Sequence, residues 1–101
     1  MSRFTRVSDD LDVQPSRIVV ALLDPDADPD VALRRARTAS AEGYEVVYLG
    51  PSDPQATAWA VRAEDAASAL VVADEASAQQ LREALDALDL ADVQVSCVAA
   101  R

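Results

Sequence analysis

Apolar residues fall into four short runs, and helical patterns separate them. The first run, Arg17 to Leu23 (RIVVALL), is continuous and rich in β-branched residues, as in a strand buried on both faces. YEVVYLG at 44–50, ASALVVAD at 67–74 and DVQVSCVAA at 92–100 read as three more strands. Between the first two strands, residues 31–43 repeat apolar positions at helical spacing. Val31, Ala32, Ala36 and Ala39, with Leu33, form the inner face, and Gly43 stops the helix. A second helix opens at Pro54 behind the cap residue Asp53 and runs to about Ala66. A third covers Ala76 to Leu88, with Leu81, Leu85 and Leu88 inward. Trp59, on the second helix, is expected to be partly buried against the sheet.

Strand and helix therefore alternate as β-α-β-α-β-α-β with short connections. That alternation predicts a parallel sheet with right-handed crossovers and helices on both faces. The expected fold is a three-layer, flavodoxin-like α/β/α domain with strand order 2-1-3-4, spanning residues 17–101. Residues 1–16 form a polar, flexible lead-in, in which Phe4 and Val7 are the residues able to pack. With 101 residues, half of them hydrophobic, the chain makes one domain with a modest core.

Charge narrows the chemistry. Eighteen acidic residues stand against nine arginines, with no lysine, for a net charge of −9. Nucleic acid and anionic membrane surfaces would repel such a chain. The absence of histidine removes imidazole bases, imidazole metal ligands and Ser-His-Asp or Cys-His catalysis. The lone Cys97 cannot form an internal disulfide and is expected to be a small core residue. Nothing resembles a secretory signal and no apolar run is long enough for a membrane span, so the expected location is the cytoplasm.

The loop LLDPDADPD concentrates the candidate chemistry. In a fold of this order, ligands sit beyond the carboxyl ends of the first and third strands, near Asp24 and Asp74. One reading is helix capping: Asp28 precedes Pro29 at the first helical position, and Asp30 lies in the first turn. A second is a loose magnesium site of Asp24, Asp26 and Asp74. An EF-hand fails, because Pro29 and Arg35 occupy the positions that need glycine and a chelating glutamate. A third is phosphorylation of Asp74 as in response-regulator receivers, which also need a lysine and a fifth strand.

The stretch RIVVALLDPDADPDVALRRARTASAEGYEVVYLGP resembles the cobalamin-binding domain of methylmalonyl-CoA mutase and its relatives. In that family a strand of the type RILVA leads into D-x-H-x-x-G, a helix follows, and the second strand ends in Gly-Pro. Here Gly43-Tyr44 and Gly50-Pro51 stand at matching spacing, and AEDAASALVVAD resembles the segment leading through the third strand. The resemblance places the family aspartate on Asp26, the cobalt-ligating histidine on Asp28 and the glycine on Val31, with Gly50 among the cofactor-side positions. The family's serine motif falls near Val72 and Ala73, and its glycine pair on Ala99 and Ala100. Its fifth strand and last helix have no counterpart. The resemblance thus implies a shortened, degenerate cobalamin-binding domain without the cobalt ligand, acting as a non-catalytic accessory or interaction module. A corrinoid- or other small-molecule-binding subunit of a mutase-type enzyme stays open. An uncovered fourth strand, with Val93, Val95 and Cys97 on one face, would pair with a second copy or a larger partner.

Overall fold

The computed structural model describes residues 16 to 99. Phe4, Val7 and the rest of the expected lead-in before Ser16 lie outside the described residues, as does Ala100. The elements are β1 (Arg17–Leu22), α1 (Pro29–Ala41), β2 (Glu45–Pro51), α2 (Pro54–Glu64), β3 (Ser68–Val72), α3 (Glu75–Ala87) and β4 (Gln94–Val98). The strands form one parallel sheet in the order β2-β1-β3-β4, as the alternation predicts.

β1 is the centre of this arrangement. Its residues 18 to 22 are all buried, as a continuous apolar run requires when both faces are covered. Val19 and Ala21, with Leu23 beyond them, join one core that includes Ala58, Val61, Leu81 and Leu85 of α2 and α3. Val20 and Leu22 face the other way, toward Ala32 and Ala36 of α1. One helix thus lies on one face and two on the other, giving three layers.

Each helix begins at an aspartate. Asp28 Oδ1 accepts from the Asp30 amide at 3.0 Å, Asp53 Oδ1 from Ala56 at 2.7 Å, and Asp74 Oδ1 from Ser77 at 2.7 Å. Pro29 and Pro54 follow two of these caps, where a missing amide proton costs nothing. The helices end in left-handed backbone. Gly43 sits at φ +102° while the Tyr44 amide returns to the Ala39 carbonyl at 3.1 Å. Asp65 and Asp89 do the same work at φ 52° and 60°.

Two expectations are corrected. Trp59 is 57% exposed. The inward stripe of α2 is Thr57, Ala58 and Val61, and Trp59 lies about 100° round the helix from Ala58. One turn on, Arg62 stacks over its ring at 5.5 Å from the centroid. Cys97 is exposed as well, not a core residue. Cys97 shares its face of β4 with Val93 and Val95, which are half-buried against the larger core, yet it lies beyond that contact and is exposed.

Leu81 is fully buried and touches the larger core, so Leu81→Ala should lower unfolding stability by about 2–5 kcal/mol in urea denaturation. Trp59→Ala should shift it by no more than about 0.5 kcal/mol, despite the larger side chain removed. The amide and hydroxyl of Ser77 hold the Asp74 carboxyl below its usual value of 3.8, slightly opposed by desolvation. The stabilisation from that charge is therefore complete above the unfolded pKa and disappears as pH falls through the lower folded one. Wild type and Asp74→Asn, unfolded in urea across pH 7 to 2, should differ at neutral pH and converge at the acid end.

Candidate functional site

The carboxyl edge of the sheet carries the residues singled out by sequence. β1 and β3 run side by side up to Leu22 and Val72. Beyond them the Leu23 and Asp24 amides both donate to the Val72 carbonyl, at 2.9 and 3.2 Å. That pair of bonds ties the start of the aspartate loop to the end of β3, so Asp24 and Asp74 leave the sheet from adjacent strands. The loop then closes on itself. Asp24 Oδ1 accepts from the Asp26 amide at 2.9 Å, and the Ala27 amide returns to the Asp24 carbonyl at 3.1 Å. Ala27 is buried beneath the turn, which fixes the loop against the core.

The structure thus engages Asp24, Asp28 and Asp74 each with a nearby backbone amide. Asp28 serves as the N-cap of α1, and Asp26, Asp28 and Asp74 point into exposed surroundings. Among the described residues, no group of three histidine, cysteine or acidic side chains is placed to hold a metal ion. Asp24, Asp26 and Asp74 are neighbours in the fold but do not form such a group. Val31, half-buried, packs on the smaller core.

Gly50 is buried at the end of β2 with φ +72°. Val20 pairs with Tyr48 and Ala21 with Gly50, so Leu49 is an extra residue in the ladder. This bulge turns the end of β2 so that the Ser52 amide donates to the Leu22 carbonyl at 3.0 Å. Ser52 in turn receives the hydroxyl of Thr57 at 3.1 Å, the one buried polar side chain among the described residues. Neither the bulge nor the Ser52–Thr57 bond was evident from periodicity. A glycine just before the proline that ends the strand was the available signal for the bulge.

Electrostatically this edge is a rim of carboxylates. The positive ends of three helix dipoles meet there, and Asp28, Asp53 and Asp74 already occupy them. A free helix N-terminus favours phosphate, whereas one capped by a carboxylate disfavours a second anion. Two grooves lie elsewhere. One of about 550 Å³ runs between α3 and the start of β4, and one of about 560 Å³ lies between the amino end of α2 and α3. Neither opens between the ends of β1 and β3.

The opposite, amino edge is held by Arg17. Its guanidinium donates to Glu45 Oε1 at 3.0 and 3.1 Å and to the Glu64 carbonyl at 2.8 Å, joining β1 to β2 and the end of α2. The expected interface residues sit on the β4 side. Val93 and Val95 are half-buried against the larger core, while Cys97, with Sγ 3.4 Å from the Ala73 carbonyl, is exposed. No helix among the described residues is long and apolar enough to cross a membrane.

No family model matches the chain, and no curated protein sequence matches it. Among solved structures it is similar to a cobalamin-binding protein from Desulfitobacterium hafniense DCB-2. The TM-score is 0.72 at 23% identity, over 84% of this chain and 44% of that one. The chain therefore spans less than half the length of that protein. At this identity the likeness establishes the fold: a flavodoxin-like α/β domain of the kind found in a cobalamin-binding protein.

Proposed function

We propose that this chain is a cobalamin-binding-type domain that has lost its hold on cobalt and works as a non-catalytic accessory or protein-interaction module. The observation that carries this reading is the state of Asp28. In the alignment to the D-x-H-x-x-G motif, Asp28 stands where the cobalt-ligating histidine belongs, and its carboxylate is committed to the amide of Asp30 as a helix cap. The residues present fit a corrinoid poorly. The chain offers no imidazole, and a hard carboxylate is a weak substitute on cobalt. Val31, at the motif's glycine position, packs on the core beside the loop. An interaction role draws its support from β4, whose outer edge has no strand beside it among the described residues. A second copy or a larger partner, such as the main subunit of an acyl-CoA mutase-type enzyme, would dock there.

The alternative, a corrinoid-binding subunit that holds the cofactor without a protein ligand to cobalt, is favoured by the structural likeness to a cobalamin-binding protein. Titration with adenosyl- and hydroxocobalamin, followed by visible absorbance and calorimetry, separates the two. The expected result is no spectral change and no heat up to about millimolar ligand, corresponding to binding weaker than about −4 kcal/mol. Micromolar affinity would establish the alternative instead, and Asp28→Ala would then show whether that carboxylate takes part.

A further inference from the structure

We propose that the open edge of β4 pairs with the same edge of a second copy, antiparallel about a two-fold axis at Ser96, to give one continuous sheet across the dimer. The inference rests on β4 being a docking edge, as proposed above, and names what docks there and in which register.

The two edges of the sheet differ. β2 is guarded: it carries Glu45, the bulge at Leu49 and Pro51, each a device against pairing. β4 carries none of these. Gln94 to Val98 contain no charge and no proline, and lie in unbroken register with Ser68 to Val72. Pairing through β4 therefore stops at two copies, because each outer edge of the joined sheet is then a guarded β2.

The ladder to β3 shows which backbone groups of β4 are free. The Gln94 amide donates to the Ala67 carbonyl at 3.4 Å, and the Val98 carbonyl accepts from the Ala73 amide at 3.1 Å. Residues 94 and 98 thus turn their peptide groups toward β3. With a period of two, Ser96 does the same, and Val95 and Cys97 turn theirs outward. A two-fold axis requires the same patch on both copies and antiparallel strands. With that axis at Ser96, Val95 of each copy would exchange both backbone bonds with Cys97 of the other. The two Ser96 residues would form the close, non-hydrogen-bonded pair between them. Cys97, exposed in the single chain, would lie opposite the half-buried Val95 of the second copy.

Charge is compatible with this partner in this orientation. A chain of net charge −9 repels its own copies unless the contact keeps their acids apart. Asp92 is the acid nearest to β4 in sequence, and it precedes Ser96 by four residues. Antiparallel pairing would set the two Asp92 side chains about 26 Å apart, well beyond the screening length of about 8 Å at physiological salt. Between them lies only the uncharged strand. A five-residue edge is small beside a standard interface, so the dimer is a weak one.

Sedimentation velocity on the full chain should show a monomer–dimer equilibrium with Kd in the micromolar range. Cys97→Pro removes an outward amide alone, which an edge strand tolerates, and should give a monomer with unchanged far-UV dichroism. Ser96→Cys in a Cys97→Ser background tests the register and leaves every backbone bond in place. Its thiols would face each other within disulfide range, whereas the native Cys97 thiols would sit on the diagonal, with Cα atoms about 7–8 Å apart. Under copper-catalysed air oxidation it should cross-link at least about tenfold faster than the unaltered chain. A monomer at every concentration up to about 1 mM would overturn the proposal. So would a dimer that persists in folded Cys97→Pro, or cross-linking no faster through position 96 than through Cys97. A monomeric chain would still leave β4 free for a different partner. Docking at β4 as such would instead fail on slow amide exchange at Val95 and Cys97 in that monomer, the mark of an edge already covered within one chain.

Discussion

The rest of this structure depends on the burial of β1 from both sides. A strand with apolar residues on alternate and intervening positions can satisfy its hydrophobic surface only between two layers. Once Val19 and Ala21 face α2 and α3, Val20 and Leu22 must face α1. The neighbours β2 and β3 then complete its backbone hydrogen bonds, and every crossover has to pass over one face or the other. The aspartate loop occupies the functional end of the fold because β1 ends there, tied by two amides to the last carbonyl of β3.

All three helices start at that end. Three carboxylates cap three helices along one edge, and hydrogen bonding from Ser77 at the start of α3 lowers the pKa of one of them, Asp74. Capping gives each helix a local start signal independent of distant contacts. It also saturates the dipole ends that this fold offers to ligands and leaves the edge negative. Structure and charge therefore both disfavour a further anion at the switch point.

Much of this was legible in the sequence, for reasons that differ from residue to residue. The run Ile18 to Leu23 reads as an interior strand, and Asp53-Pro54 and Asp28-Pro29 read as helix starts, because proline and the cap each restrict the backbone locally, although the loop around Asp28 also admitted ligand readings. Gly43 marked its helix end in the same way. Asp65 and Asp89 take the left-handed role without glycine's signature, so those ends carried no clear mark. Trp59 was misread because size suggested burial, whereas α2 packs through the small side chains of its inner stripe. Cys97 differs from expectation because alternation tells which face a residue is on and not how far along the strand that face is covered. At the candidate site, the cap role of Asp28 could be read from neighbours in sequence. The bulge at Leu49 depends on how β2 must bend to meet the end of β1, which is a relation across the sheet.

The strand order has a further consequence for how the molecule comes into being. β1 is made first yet sits in the middle, and its partners on the two sides arrive with residues 45–51 and 68–72. A chain emerging from the ribosome therefore exposes its most hydrophobic segment for the time needed to make some fifty further residues. At about 5–20 residues per second this is an interval of seconds, long for a bare apolar strand. The acidic loop that directly follows β1 emerges next to it and sets a run of like charges beside the bare strand.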